Sequence, residues 1–244
     1  MAAELAAPVL IQLGPLPLTN SLLHTLLVDG AIFATVIALK KKLSLIPGGL
    51  QNAFEYIIVE LYGLTEQVAG KNARIIFPWF VTTFLFLLVS NWSALLPGFG
   101  TIGFQTKEGF VPLLRSAASD INLTLSLALI VTVATHFLAI RTVGIKSHLL
   151  RYFSFNPIFL FVGLLEILSI FTNVISLSFR LFGNIFAGEV VLTTISGMFA
   201  FLLPLPFMAL ELIVGLVQAL VFAMLTMAFM SILMTPHHAE GGEH

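Results

Sequence analysis

From Pro157 to Ser196 the chain runs for about forty residues with a helical pattern and no internal proline, and only Glu166, Arg180 and Glu189 carry charge. At 1.5 Å per residue such a helix is about 60 Å long. The hydrocarbon core of a bilayer is about 30 Å thick. A second stretch, 204–234, reaches about 45 Å on the same reckoning. Standing perpendicular to a membrane, two such helices would push apolar sides into water. The sequence therefore predicts that they lie strongly tilted, or partly along the membrane plane, packed antiparallel against each other.

The rest of the chain agrees that lipid is the solvent. Charged residues make up 9% of the 244 and hydrophobic ones 58%, where a soluble domain carries roughly 25% charged residues. Further spans are predicted at 18–39, 77–96 and 120–140, each near the ~20 residues a crossing helix needs. The segment 43–74 mixes Glu55, Glu60, Glu66 and Lys71 with Phe54, Ile57, Ile58, Leu61 and Leu64 at spacings of three and four. That periodicity describes a helix lying on the membrane surface. The expected fold is an all-α integral membrane protein in one domain, 1–244, with five membrane helices and one amphipathic surface helix. No basic residue precedes Lys40, so the N-terminus lacks the n-region of a signal peptide. The chain has no Cys, which excludes disulfides and thiolate ligands, and a net charge of -1 points away from nucleic acid.

Basic residues orient such a protein. Lys40, Lys41, Lys42, Lys71, Arg74, Arg141, Lys146 and Arg151 fall on one side, and only Lys107 and Arg115 on the other. The first side is assigned to the cytoplasm, which leaves the N-terminus outside and the C-terminus inside.

An arginine at the centre of a membrane helix costs about 2.5–3.5 kcal/mol on insertion scales. Arg180, Glu166, Glu189 and Glu211 are all placed this way. A fixed Arg–Glu pair holding two helices together would account for two of them. Helical geometry favours an ion path instead. At 100° per residue, Ser169, Asn173, Ser176 and Asn184 fall within about 40° of Arg180, and Glu166 is on the same side. A pair needs no such stripe, whereas a wet path does. Glu189 lies roughly 13 Å beyond Arg180 on the opposite face, and Glu166 about 21 Å before it. Glu211 and Gln218 share a face of the last helix. If Gln218 lies level with Arg180, the antiparallel packing brings Glu211 near Glu189. An arginine stays protonated and cannot relay a proton, so it would separate the two acidic regions electrostatically.

These residues resemble the a subunit of F-type ATP synthase. The resemblance is carried by SLSFRLFGNIFAGE at 176–189, LVQALVFAMLT at 216–226, SNWSALLPGF at 90–99 and SDINLTLSLAL at 119–129, in that family's order and spacing. It implies a stator that offers two offset half-channels to a ring of c subunits, each bearing an essential carboxylate. It implies further partners: b subunits of the peripheral stalk and, through the complex, the F1 sector. Arg180 matches the family's essential arginine, which attracts the ring carboxylate and blocks a proton leak. Asn184 and Gln218 match polar residues flanking it. Glu189 and Glu211 match the titratable pair of the outer half-channel, and Asp120 and Asn122 polar positions at its entry. Glu166, Ser169, Asn173 and Ser176 would line the cytoplasmic exit. In many members the outer pair is one His and one Glu, whereas here both are Glu. Two close carboxylates cannot both ionise cheaply, so one of the two is expected to hold its proton more tightly than a lone carboxylate. The short form with its Lys40–Lys42 run looks bacterial, which implies the plasma (inner) membrane.

Other features read more plainly. His24 and Asp29 sit near a helix end and read as interfacial more readily than as the outer channel mouth. His136 reads as a satisfied buried histidine. His237, His238 and His244 lie in a Gly-rich tail without ligand spacing, so no metal is expected. The segment GNIFAG lacks the GK[ST] ending of a phosphate loop. With no nucleotide site and no cofactor expected, ATP chemistry would belong to other chains. The competing reading is an independent cation-coupled secondary transporter, which would be expected to carry inverted repeats and broken helices. Neither is visible.

Overall fold

A computed structural model describes residues 8–13, 16–41, 43–44, 47–96, 102–106, 109–153, 157–198 and 203–235. Lys42, Lys107, Pro97–Gly98, most of the turn between the two longest helices and the tail with its three histidines lie outside the described residues. The helices are α1 (Asn20–Lys41), α2 (Gly49–Ala69), α3 (Ala73–Ser93), α4 (Ile121–Val143), α5 (Ile145–Tyr152), α6 (Pro157–Met198) and α7 (Pro204–Leu233). Five helical stretches are long and apolar enough to cross a membrane. The fold is the all-helical membrane architecture expected, with α6 the longest element at 42 residues.

Two small antiparallel hairpins accompany the helices and were not anticipated. Strands β1 (Val9–Leu13) and β2 (Leu16–Thr19) pair before α1, and β3 (Gly103–Thr106) and β4 (Gly109–Pro112) pair between α3 and α4. Strands of four or five residues carry too weak a period-2 signal to stand out beside long apolar helices. The Asn20 amide of α1 donates to the Pro112 carbonyl at 3.2 Å and so joins the two hairpin regions.

The amphipathic segment is shorter than predicted. α2 buries Leu61, Thr65 and Ala69, spaced by four, and leaves Glu55, Glu60 and Glu66 exposed. A 3₁₀ turn at Gly70–Asn72 then leads into α3. α3 packs most extensively on α7. Their shared core holds Ile76, Phe80, Leu87, Phe222, Met227 and Met230, all almost fully buried. Asn91 of α3 donates to the Gly215 carbonyl at 3.1 Å, and the Trp92 indole donates to the Leu212 carbonyl at 3.1 Å. The methionines at helical spacing thus fill a core.

α6 packs on α4 and α7 along one side only. In its most apolar window 11% of residues are buried within the chain, against 39% in α7. Its other side shows Leu164, Leu168, Phe171 and Phe179 together with Ser176, Arg180, Gly183, Asn184 and Ala187. An exposed stripe of this kind must meet lipid or another chain.

Candidate ion-transfer site

Arg180 stands on that exposed stripe, near the middle of α6. Its guanidinium donates from Nη2 to Ser176 Oγ at 3.4 Å, a long contact one turn back. Among the described residues no carboxylate lies within ion-pair distance of it. The acidic side chains of the sequence reading have other neighbours.

Glu189 meets Arg115, whose Nε is 3.7 Å from Glu189 Oε1. Arg115 is buried and its Nε also donates to Ser119 Oγ at 3.1 Å. From the sequence Arg115 was only a basic residue of the outer loop. The run Ser116-Ala117-Ala118-Ser119 that follows it is entirely buried, and small residues there let the loop press its arginine against α6. Glu211 lies against Gly188, its carboxylate occupying the space that a Cβ at 188 would need. The antiparallel packing thus brings Glu211 beside the backbone that carries Glu189. One turn nearer Arg180, Asn184 Nδ2 donates to Gln218 Oε1 at 2.7 Å. Gln218 is therefore level with Asn184 rather than with Arg180.

Asp120 is buried and occupied. Its Oδ1 accepts the Asn122 backbone N–H at 3.0 Å, capping the N-terminus of α4, and its Oδ2 accepts from Ser21 Oγ at 2.7 Å. The Asn122 side chain is exposed. His24 is also part of this joint. Its Nδ1 accepts the Ala117 N–H at 3.0 Å, so the neutral ring carries its proton on Nε2, which donates to Ser93 Oγ at 2.8 Å. It ties α1 to α3 and to the loop before α4.

On the other side of Arg180, a cavity of about 180 Å³ opens between α4, α6 and α7. Glu166, Ser169 and Asn173 line it, as the polar stripe predicts, and so do Thr135, His136 and Thr226. Ser176 is not on its wall and instead faces out with Arg180. Glu166 pairs with Arg151 of α5, Nε to Oε1 at 2.6 Å, a charge contact rather than an aligned hydrogen bond. Arg151 Nη1 further donates to the Ile232 carbonyl at 3.2 Å, at the end of α7. His136 Nδ1 is 3.3 Å from His148 Nε2. Positive φ at Gly144 (92°) ends α4 and turns the chain into α5, which folds His148 back onto His136. Sequence reasoning missed Arg151, His148, Thr135 and Thr226. Nothing local marks them, because Thr135 comes from α4, Thr226 from α7 and the pair His148 and Arg151 from α5, where they meet His136 and Glu166 only in the packed fold.

Along α6, Glu166 and Glu189 are separated by about 34 Å and Arg180 stands between them. Each of these acids has an arginine of its own, and Arg180 has neither.

Comparison with known proteins was informative over nearly the whole chain. A family described as "ATP synthase A chain" matches residues 21–231. "ATP synthase subunit a" of Moorella thermoacetica is 31% identical over 91% of this chain and 94% of its own length. "ATP synthase subunit a 2" of Bradyrhizobium sp. is 32% identical over 93% and 94%. "ATP synthase subunit a 1" of Syntrophotalea carbinolica is 33% identical over 85% and 82%.

Proposed function

The chain belongs to the ATP synthase A chain family, whose members are the proton-translocating subunit of the membrane sector, and on that premise we propose how its own residues move protons. Arg180 is the fixed charge between two half-channels. Glu189 and Glu211, with Asn184 and Gln218, serve the outer one, and Asp120 and Asn122 stand at its entry. Glu166, Ser169 and Asn173 serve the cytoplasmic one, with Ser176 at its inner end beside Arg180. The exposed stripe of α6 faces a ring of c subunits. Each ring carboxylate meets Arg180 in its ionised form, is loaded from one side and unloads to the other. The b subunits of the peripheral stalk and the F1 sector complete the machine around this single domain, 1–244. The setting is a bacterial inner membrane with the N-terminus outside and the C-terminus in the cytoplasm.

The observation that carries this reading is that Arg180 is exposed and has no acid partner among the described residues, while Glu166 and Glu189 are each paired with another arginine. A buried arginine serving only as glue would be paired, since an uncompensated charge in lipid is costly. An arginine kept free can hold a carboxylate that arrives and leaves. A guanidinium is a fixed cation that cannot relay a proton, so at this position it repels protons and closes the direct route between the two cavities.

The test is the whole complex reconstituted in vesicles. Arg180→Ala abolishes ATP synthesis driven by an imposed gradient, and Arg180→Lys does not fully restore it, because a flexible point charge lacks the planar guanidinium fork. Continued synthesis by the Arg180→Ala complex would refute the assignment.

A further inference from the structure

We infer that His136 and His148 form a two-imidazole proton relay linking the cytoplasmic cavity to the water beside α5, an inference that rests on the cavity's role given above. His136 lines the cavity with Glu166, Ser169 and Asn173. Its Nδ1 lies 3.3 Å from Nε2 of His148 on α5, a ring that is 6% exposed. The two rings meet edge to face, 5.4 Å apart, and the Tyr152 ring packs on His148 at 5.3 Å. The rings thus extend the polar lining of the cavity from α4 to α5.

The chemistry favours a relay over simple packing. Among the described residues Glu166 is the one acid of the cavity wall, and Arg151 sits on it. A proton leaving by that route must pass a permanent cation. The imidazole pair offers a way round, because each ring has two nitrogens and can take a proton on one while giving it up from the other. With His136 Nδ1–H donating to His148 Nε2, a proton from the cavity bonds to His136 Nε2. The His136 Nδ1–H bond breaks as His148 Nε2–H forms, and the proton on His148 Nδ1 is released. One proton enters, one leaves, and no charge stays behind. Each ring returns to its starting tautomer by giving the Nε2 proton to water and taking one back on Nδ1, which a turn of the side chain away from its neighbour permits. The groups facing the pair are Arg151 and Tyr152 from α5 and Glu166 from α6, while α7 contributes Thr226, Phe229, Ile232 and Leu233, none of which titrates. Burial and then Arg151 hold His148 below its ordinary value of 6.5, with Glu166 opposing. The ring is thereby neutral at pH 7 and able to accept.

Passive proton flux through the complete membrane sector, in vesicles stripped of the soluble sector and held in weak buffer, tests this. His136→Gln and His148→Gln keep a hydrogen-bonding group but cannot pass a proton. Each lowers flux on the order of a hundredfold, the low end of what a positioned acid–base group contributes, and imidazole on the cytoplasmic side restores most of it. Unchanged flux, or a loss that imidazole does not restore, overturns the relay. Where a variant does not assemble, time-resolved infrared spectra of the unsubstituted complex with isotope-labelled histidine decide. A transient imidazolium band during flux supports the relay and its absence overturns it. Glu166→Gln separates the two levels. If it lowers flux and the histidine variants do not, the cavity stands and the relay falls. If it leaves flux intact, the reading of the cavity fails as well.

Discussion

Replacing Arg115 by Gln removes a charge that only the folded chain brings to Glu189. At 3.7 Å two unit charges attract by about 4.5 kcal/mol at an effective dielectric of 20 and by about 1.1 kcal/mol in water. Arg115 is 8% exposed but the Glu189 side chain is 39% exposed, so water reaches one partner and the lower half applies, about 1–2.5 kcal/mol. The hydrogen bond from Arg115 Nε to Ser119 adds about 1 kcal/mol. The variant should therefore lose about 2–3.5 kcal/mol, which in a chain of this size lowers a thermal midpoint by roughly 4–14 °C. The assay is thermal dissociation of the assembled complex on native gels, read for Arg115→Gln, Glu189→Gln and the double variant. A coupling of about 1–2.5 kcal/mol between the two positions is expected, within the range for contacting residues. Single variants whose effects add to within about 0.3 kcal/mol would refute the pairing.

Gly163 lies against the end of α5, and a Cβ there would come within 2.8 Å of the Tyr152 carbonyl carbon and 2.9 Å of its Cα. Because backbone cannot swing aside as a side chain can, Gly163→Ala should cost about 1–3 kcal/mol, measured as reduced assembled complex and a lower thermal midpoint. His148 gives the complex a pH dependence. Its folded-state value is below 6.5, so the unfolded chain binds more protons between the two values and stability rises with pH there. The thermal midpoint should hold above pH 6.5 and fall as pH drops below it, and His148→Gln should flatten that fall. A variant with the same slope as the unsubstituted complex would exclude His148 as its source.

Much of this protein is legible from one dimension because lipid simplifies the rules. Every backbone group must be bonded within its own helix, so apolar length alone places α1, α3, α4, α6 and α7 to within a few residues. The period of 3.6 gathers Glu166, Ser169, Asn173, Ser176 and Asn184 on the Arg180 side of α6, and the spacing along α6 sets Arg180 between the two acids. That the first three line a cavity while Ser176, Arg180 and Asn184 stay exposed is decided by how α4 and α7 pack. What helical geometry does not carry is who meets whom across elements. Arg115 and Glu189 are 74 positions apart, and Arg151 reaches Glu166 only because Gly144 turns α5 back under the bundle. Asp120 reads from the sequence as a polar group at a channel entry, yet its oxygens cap α4 and hold Ser21. His136 reads from the sequence as a satisfied buried histidine, yet the fold sets it on a cavity wall with a second imidazole beside it. Hydrophobic burial is non-directional and is written in the order of residues. Charge pairs and hydrogen bonds demand ångström-scale placement, and that placement is made by the packing of helices far apart in the chain.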